Sequence, residues 1–194
     1  MVSIKDADTR FRLLGFFPLV FFFAQGVHYW KISQLGHMLW MCNIGDLLLA
    51  IGLFWKQPVL IRIAVIWMVP GFAIWFRFVV LEWGVFFSSV LAHVGGLMVG
   101  AVALKKVGMD GRSWLYAFAW YLLVHTLSRA LTSADLNVNL AHRIQPGFET
   151  VFGSYWKFWL TGVVATALIL WVLGIVLSRL WPAEMSPSSL PNKS

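Results

Sequence analysis

Residues 155–181 read YWKFWLTGVVATALILWVLGIVLSRLW, and the only two charges, Lys157 and Arg179, each stand third from an end. As a helix rising 1.5 Å per residue, this stretch reaches about 40 Å. A hydrocarbon core is about 30 Å thick, so the run reads as a membrane-crossing helix. Five further apolar runs precede it, at 13–30, 35–55, 59–78, 83–104 and 114–131. The sequence therefore predicts an all-α polytopic membrane protein, a bundle of six transmembrane helices filling residues 1–181. The Pro- and Ser-rich segment 182–194 is expected to be a disordered cytoplasmic tail.

Composition agrees with this. Of 194 residues, 60% are hydrophobic and 12% charged, about half the charged fraction of a soluble domain. The net charge of +7 would point to nucleic acid in a soluble protein. Here the basic residues gather in the gaps between apolar runs, so no nucleic-acid partner is expected and membrane lipids are. A protein partner or an oligomer is compatible with the many Phe and Trp residues. Neither a P-loop nor GxGxxG is present, and no CxxC or HExxH spacing announces a zinc site. The single cysteine, Cys42, excludes an intrachain disulfide.

Basic residues precede the first run, as in a signal peptide, but Asp6 and Asp8 interrupt them and the apolar run continues past the weak site at Ala24–Gly26. It reads as a retained first span. Lys5, Arg10, Arg12, Lys56, Arg62, Lys105, Lys106, Arg112, Arg179 and Lys193 fall on one side of a six-span topology, against five basic residues on the other. The bias predicts cytoplasmic termini in a bacterial inner membrane. Trp30, Trp55, Trp83, Trp114 and Trp181 fall at run ends, as interfacial anchors do. The 23-residue connector 132–154 lies outside, with Asn137, Asn139 and His142 ahead of a Pro146-Gly147 turn. Connectors of this length often serve as lids or binding loops.

Ionisable groups within the spans cost about 2.5–3.5 kcal/mol each on insertion scales, so they need an internal partner, water or a function. Cys42, Asn43 and Asp46 share the second span, where a four-residue step turns only about 40°. Ser89 and His93 in the fourth span precede Gly96 and Gly100, a GxxxG spacing that favours close helix contact. Tyr121, His125 and Arg129 align in the fifth span, and Gln25 and His28 lie in the first. Counted from the outer boundary, Cys42 lies about 11 Å deep, His93 about 15 Å and His125 about 9 Å. These depths predict one polar cavity.

A thiol beside a neutral imidazole makes a nucleophile and general base, which together attack a lipid ester and hold its acyl group as a thioester. Cys42 and His93 are the catalytic candidates. Asn43, Asp46, Ser89, Tyr121, His125, Arg129, Asn137 and Asn139 are the candidate substrate-cavity residues. A lone buried cysteine serves equally well as a small hydrophobe. The competing class is a redox protein in which His28, His37, His93 and His125 ligate haem or a metal, or in which a quinone is bound. No two of these histidines share an i, i+3 or i+4 spacing, and no residue pattern names a cofactor. A third class is a non-catalytic subunit of a larger membrane complex. The spans lack the paired, broken half-repeats of a transporter.

The stretches LGHMLWMCNIGDLLLAIGLFW (35–55), FFSSVLAHVGGLMVGAVALKKVGMDGRSWLYAF (86–118) and LTSADLNVNLAH (131–142) resemble the YwaF-type bacterial membrane family. They are also similar to the eukaryotic six-helix ether-phospholipid acyltransferases and, more distantly, to the androgen-induced-gene lipid hydrolases. The resemblance covers a little over half the chain and implies lipid acyl chemistry in a six-helix bundle. It matches Cys42 to the family's second-helix cysteine, His93 to its fourth-helix histidine, and Asn137 and Asn139 to a polar stretch after helix five. The family's frequent histidine two residues before that cysteine is replaced here by Trp40, and His37 lies on a different helical face.

Overall fold

A computed structural model describes residues 4–82 and 85–183. Helix α1 (Ile4–Leu13) turns at Leu14-Gly15 into α2 (Phe16–Lys31). The turn lies hard against the bundle, since a Cβ on Gly15 would stand 3.1 Å from the Ala50 carbonyl. A 3-10 turn, Leu35–Leu39, leads to α3 (Met41–Phe54), and α4 spans Pro58–Glu82. After the short α5 (Phe87–Val90) comes a π-turn, Leu91–Gly95, which runs directly into α6 (Gly96–Val107). Helix α7 (Ser113–Leu131), a second 3-10 turn (Val138–Leu140) and α8 (Tyr155–Leu180) complete the described fold. No ladder-forming strand occurs among the described residues, as an all-α membrane bundle requires.

Among the described residues, four helical segments are long and apolar enough to cross a membrane: Asp8–Lys31, Pro58–Leu81, Phe87–Val107 and Tyr155–Leu180. The run 35–55 is not one helix. Trp40 adopts φ −55°, ψ 136°, an extended conformation that ends the 3-10 turn, and the 14 residues of α3 reach only about 21 Å. This short helix is instead the hub of the fold. Leu49 and Leu53 of α3 and Ile61, Ala64 and Ile66 of α4 are wholly buried in one core cluster. The outer surface stays apolar, with Phe17, Phe23, Val164 and Leu168 all exposed, the reverse of a soluble protein and the arrangement that lipid tails favour.

Gly96 and Gly100 make contacts within the chain. A Cβ on Gly96 would fall 2.3 Å from Asp46 Oδ1, and one on Gly100 would fall 2.9 Å from Val65. Glycine here lets α6 close on α3 and α4. At the end of the bundle carrying Lys56 and Lys106, both pair with Asp8. Arg62 donates from Nε to the Gly108 carbonyl (2.8 Å) and from Nη2 to that of Val107 (3.0 Å), satisfying the last carbonyls of α6. Trp30 and Trp55 are exposed at helix ends as interfacial anchors should be, whereas Trp114 and Trp181 are half-buried against the core. The anchor expected at Trp83 and the tail beyond residue 183 lie outside the described residues.

Candidate functional site

The short α3 and the 3-10 turn before it leave room in the half of the bundle nearest the long connector. A cavity of about 610 Å³ occupies that space, walled by every described helix except α1 and α6, and its volume falls within the range of small-molecule sites. Its wall is largely aromatic. Six of the predicted site residues reach it: Cys42, Ser89, His93, Tyr121, His125 and Asn139.

His93 lies within the π-turn, a distortion often found at functional positions. Its Nδ1 lies 2.9 Å from the Ser89 carbonyl. A carbonyl only accepts, so Nδ1 carries the hydrogen and a neutral ring keeps its lone pair on Nε2. One face of the ring stacks on Trp75, with centroids 5.0 Å apart and planes 11° apart. Trp75 is itself fixed by donating to Ser89 Oγ at 2.6 Å. The imidazole is thus held at its face and at one nitrogen, and its other nitrogen has no hydrogen-bond partner among the described residues. A general base or a ligand contact needs that state.

His125 differs. Its Nδ1 donates to the Asn139 carbonyl (3.2 Å) and its Nε2 accepts the indole N–H of Trp159 (2.9 Å). Both nitrogens are engaged, so this histidine ties α7, α8 and the connector together. His28 stacks on Phe86 at 3.8 Å and 10°. His37, in the 3-10 turn ahead of α3, meets Tyr29 edge-on. All four of these histidines line the same cavity. No group of three or more His, Cys, Asp or Glu side chains is placed to hold a metal among the described residues.

Cys42 lines the cavity beside Gly71, where an added Cβ would lie 3.4 Å from the cysteine Cβ. No hydrogen bond joins its thiol to His93, so the two catalytic candidates share a cavity without forming a bonded pair.

Four predicted residues stand apart from the cavity wall. Asn43 donates from Nδ2 to the His37 carbonyl (2.9 Å) and accepts from Gln25 Nε2 (3.4 Å), while Gln25 accepts from Ser88 Oγ (2.9 Å). These groups form a buried brace between α2, α3 and α5. Asp46 is wholly buried against Gly96, and neither carboxyl oxygen has a partner among the described residues. The four-residue step from Cys42 keeps the helix face but moves about 6 Å along the axis, past the cavity floor. Arg129, one turn beyond His125, donates from Nη1 to the Ala141 carbonyl. Asn137 closes the connector on itself, its Oδ1 accepting from the N–H groups of His142 and Arg143.

Asn139 is the junction of this end of the bundle. Its Nδ2 donates to the Leu39 carbonyl (2.7 Å) and Ser128 Oγ (2.9 Å), and its Oδ1 accepts from Met41 N–H. The connector is thereby fastened into the cavity wall, as a lid segment would be. Sequence reasoning missed Trp67, Trp75 and Trp159, which line the cavity. For Trp67 and Trp75 the signal was position, since both lie well inside α4, whereas an interfacial indole would sit at a helix end; Trp159, near the start of α8, gave no such signal.

Compared with known proteins, the chain matches no family model, no curated protein and no solved structure at a significant level.

Proposed function

We propose that this integral membrane protein takes a membrane lipid into the aromatic cavity and carries out acyl transfer or hydrolysis there. The observation that carries this reading is the convergence of Cys42 and His93, from helices far apart in sequence, on one largely aromatic cavity. In the proposed reaction His93 Nε2 accepts the thiol proton as sulfur attacks the ester carbonyl. The C–O bond breaks, the leaving oxygen takes the proton back, and the acyl group remains on Cys42 as a thioester. Water or an acceptor hydroxyl then releases it. Catalytic hydrogen bonds commonly tighten only once substrate is bound, so the unbonded pair is compatible with this scheme. The resemblance of 35–55 and 86–118 to six-helix acyltransferases supports the same chemistry.

The reading includes α3 and α7 as the fifth and sixth crossings and places both termini in the cytoplasm of a bacterial inner membrane, as the basic residues argue. A second reading has one specific observation behind it. His28, His37, His93 and His125 line the cavity together, and the acyl scheme uses only one of them. The rings of His28 and His37, which stack or pack edge-on against aromatic neighbours, also suit a quinone, whose flat ring stacks and whose carbonyls accept hydrogen bonds from imidazole N–H groups. Organic extraction of the purified protein, with a visible absorption spectrum taken first, tests the choice. Co-extracted acyl lipid and a featureless spectrum are expected; a stoichiometric quinone or a haem absorption band would displace the acyl reading.

A further inference from the structure

Arg129 is a cation with no carboxylate in ion-pair range among the described residues, where the acidic side chains that do pair are Asp8 and Asp135. Its guanidinium is nevertheless fixed. Nη1 donates to the Ala141 carbonyl at 2.5 Å, and the group lies over the rings of Tyr155 (5.1 Å) and Trp156 (5.5 Å). The Tyr155 hydroxyl donates to the same Ala141 carbonyl at 2.6 Å, so helix α7, helix α8 and the connector all hold this corner. Stacking occupies the face of a guanidinium and leaves N–H donors at its edge, the geometry that binds phosphate oxygens in pairs.

The corner adjoins the cavity. His125, one helical turn from Arg129, lines it, and so does Leu140, the residue before Ala141. One turn of helix is about 5.4 Å, comparable to the step from a phospholipid's phosphate to its glycerol esters. We infer that Arg129, steadied by Tyr155 and Trp156, recognises the phosphate of a membrane phospholipid whose acyl chain occupies the cavity. The inference rests on the lipid-cavity reading and narrows its substrate class to phosphate-bearing lipids, excluding neutral glycerides.

The test compares dissociation constants, by native mass spectrometry from detergent, for phosphatidylglycerol and for a diacylglycerol with the same chains. The wild-type protein is expected to favour phosphatidylglycerol by at least about tenfold, the scale of one charge-assisted bidentate contact. Arg129→Gln is expected to abolish that preference while leaving diacylglycerol binding unchanged, and Arg129→Lys to keep only part of it. A preference that survives Arg129→Gln overturns the inference. If Arg129→Gln does not fold, Trp156→Leu, which removes an exposed ring steadying the guanidinium, should reduce the preference severalfold, and an unchanged preference there overturns the inference equally. Inorganic phosphate at millimolar concentration should not displace the lipid; full displacement would mark a site for the free ion and refute the lipid assignment. Gly162→Leu, which fills the cavity, separates the two readings. Loss of both lipids in that variant is expected. A phosphatidylglycerol preference persisting there refutes the joint placement of head and tail, whereas unchanged binding of both lipids removes the cavity reading itself.

Discussion

Asn139 caps helix α3 from 98 residues further along the chain, its Oδ1 accepting the N–H of Met41 at 3.1 Å. Trp40, the residue in the N-cap position, offers no side-chain bond of its own. The orphan donors of a helix start need a partner, and the connector supplies one from a left-handed backbone position, φ 52°. Asn139→Ala removes three side-chain hydrogen bonds and places alanine in a conformation it disfavours. Unsatisfied buried groups cost about 1–3 kcal/mol each, so a loss of at least about 2 kcal/mol is expected in reversible unfolding from mixed micelles. A loss below about 0.5 kcal/mol would show that the cap contributes nothing.

Two glycines should respond oppositely to the same kind of change. A Cβ on Gly96 meets Asp46 Oδ1 at 2.3 Å, while one on Gly162, in the cavity wall, meets nothing within 4 Å. Gly96→Ala is expected to destabilise by about 1–3 kcal/mol through overpacking. Gly162→Ala should be neutral or stabilising by up to about 1 kcal/mol, from helix propensity. Melting temperatures of the two variants in one detergent check the contrast, and equal effects would contradict it.

The Asp46 carboxyl makes no hydrogen bond among the described residues that a substitution could break. Asp46→Ala, preferred to leucine because Gly96 leaves no room for a longer side chain, is expected to hold or raise the melting temperature. A fall of many degrees would instead reveal a bound water or ion on that carboxyl.

For the proposed chemistry, Cys42→Ala should abolish acyl release from radiolabelled phospholipid while the protein stays folded. His93→Gln should slow formation of a hydroxylamine-sensitive acyl-protein. The double variant should lose little more than Cys42→Ala alone, because nucleophile and base act as a unit. Turnover retained by Cys42→Ala would end the nucleophile assignment.

The membrane topology is open to direct labelling. In a Cys42→Ala background, Gly111→Cys and Ser133→Cys flank α7 and should react with an impermeant maleimide from opposite membrane faces, with Ser133→Cys labelled from outside. Reaction of both from one face would remove α7 as a crossing.

The all-α class and the positions of the apolar runs were legible because burial in lipid imposes a pattern that every span must carry. Part of the cavity's lining was legible too: Cys42, His93 and His125 share one cavity, as polar groups that lipid would penalise tend to, whereas Asn43, Asp46, Arg129 and Asn137 stand off its wall. The break at Trp40 was not legible, because a 3-10 turn followed by a helix has the same hydropathy as a single helix. The separate fate of Asp46 escaped the helical wheel, which records angle and discards distance along the axis. The roles of Asn137 and Asn139 depended on partners in the connector and, for Asn139, near α3, which spacing alone does not encode.

The π-turn at Leu91–Gly95 amounts to one surplus residue in an otherwise α-helical rod, and each residue of an α-helix adds about 100° of rotation. The surplus therefore works as a phase shifter. It sets the rotation of the His93 side relative to the glycine side, so that one meets the cavity while the other meshes with α3 and α4. Loss of a single residue within 91–95 would leave the hydropathy profile almost untouched, yet it would force the helix to give up either its docking surface or its imidazole. Length in this segment is consequently as constrained as composition, and an insertion or deletion of one residue here is a more drastic change than most substitutions.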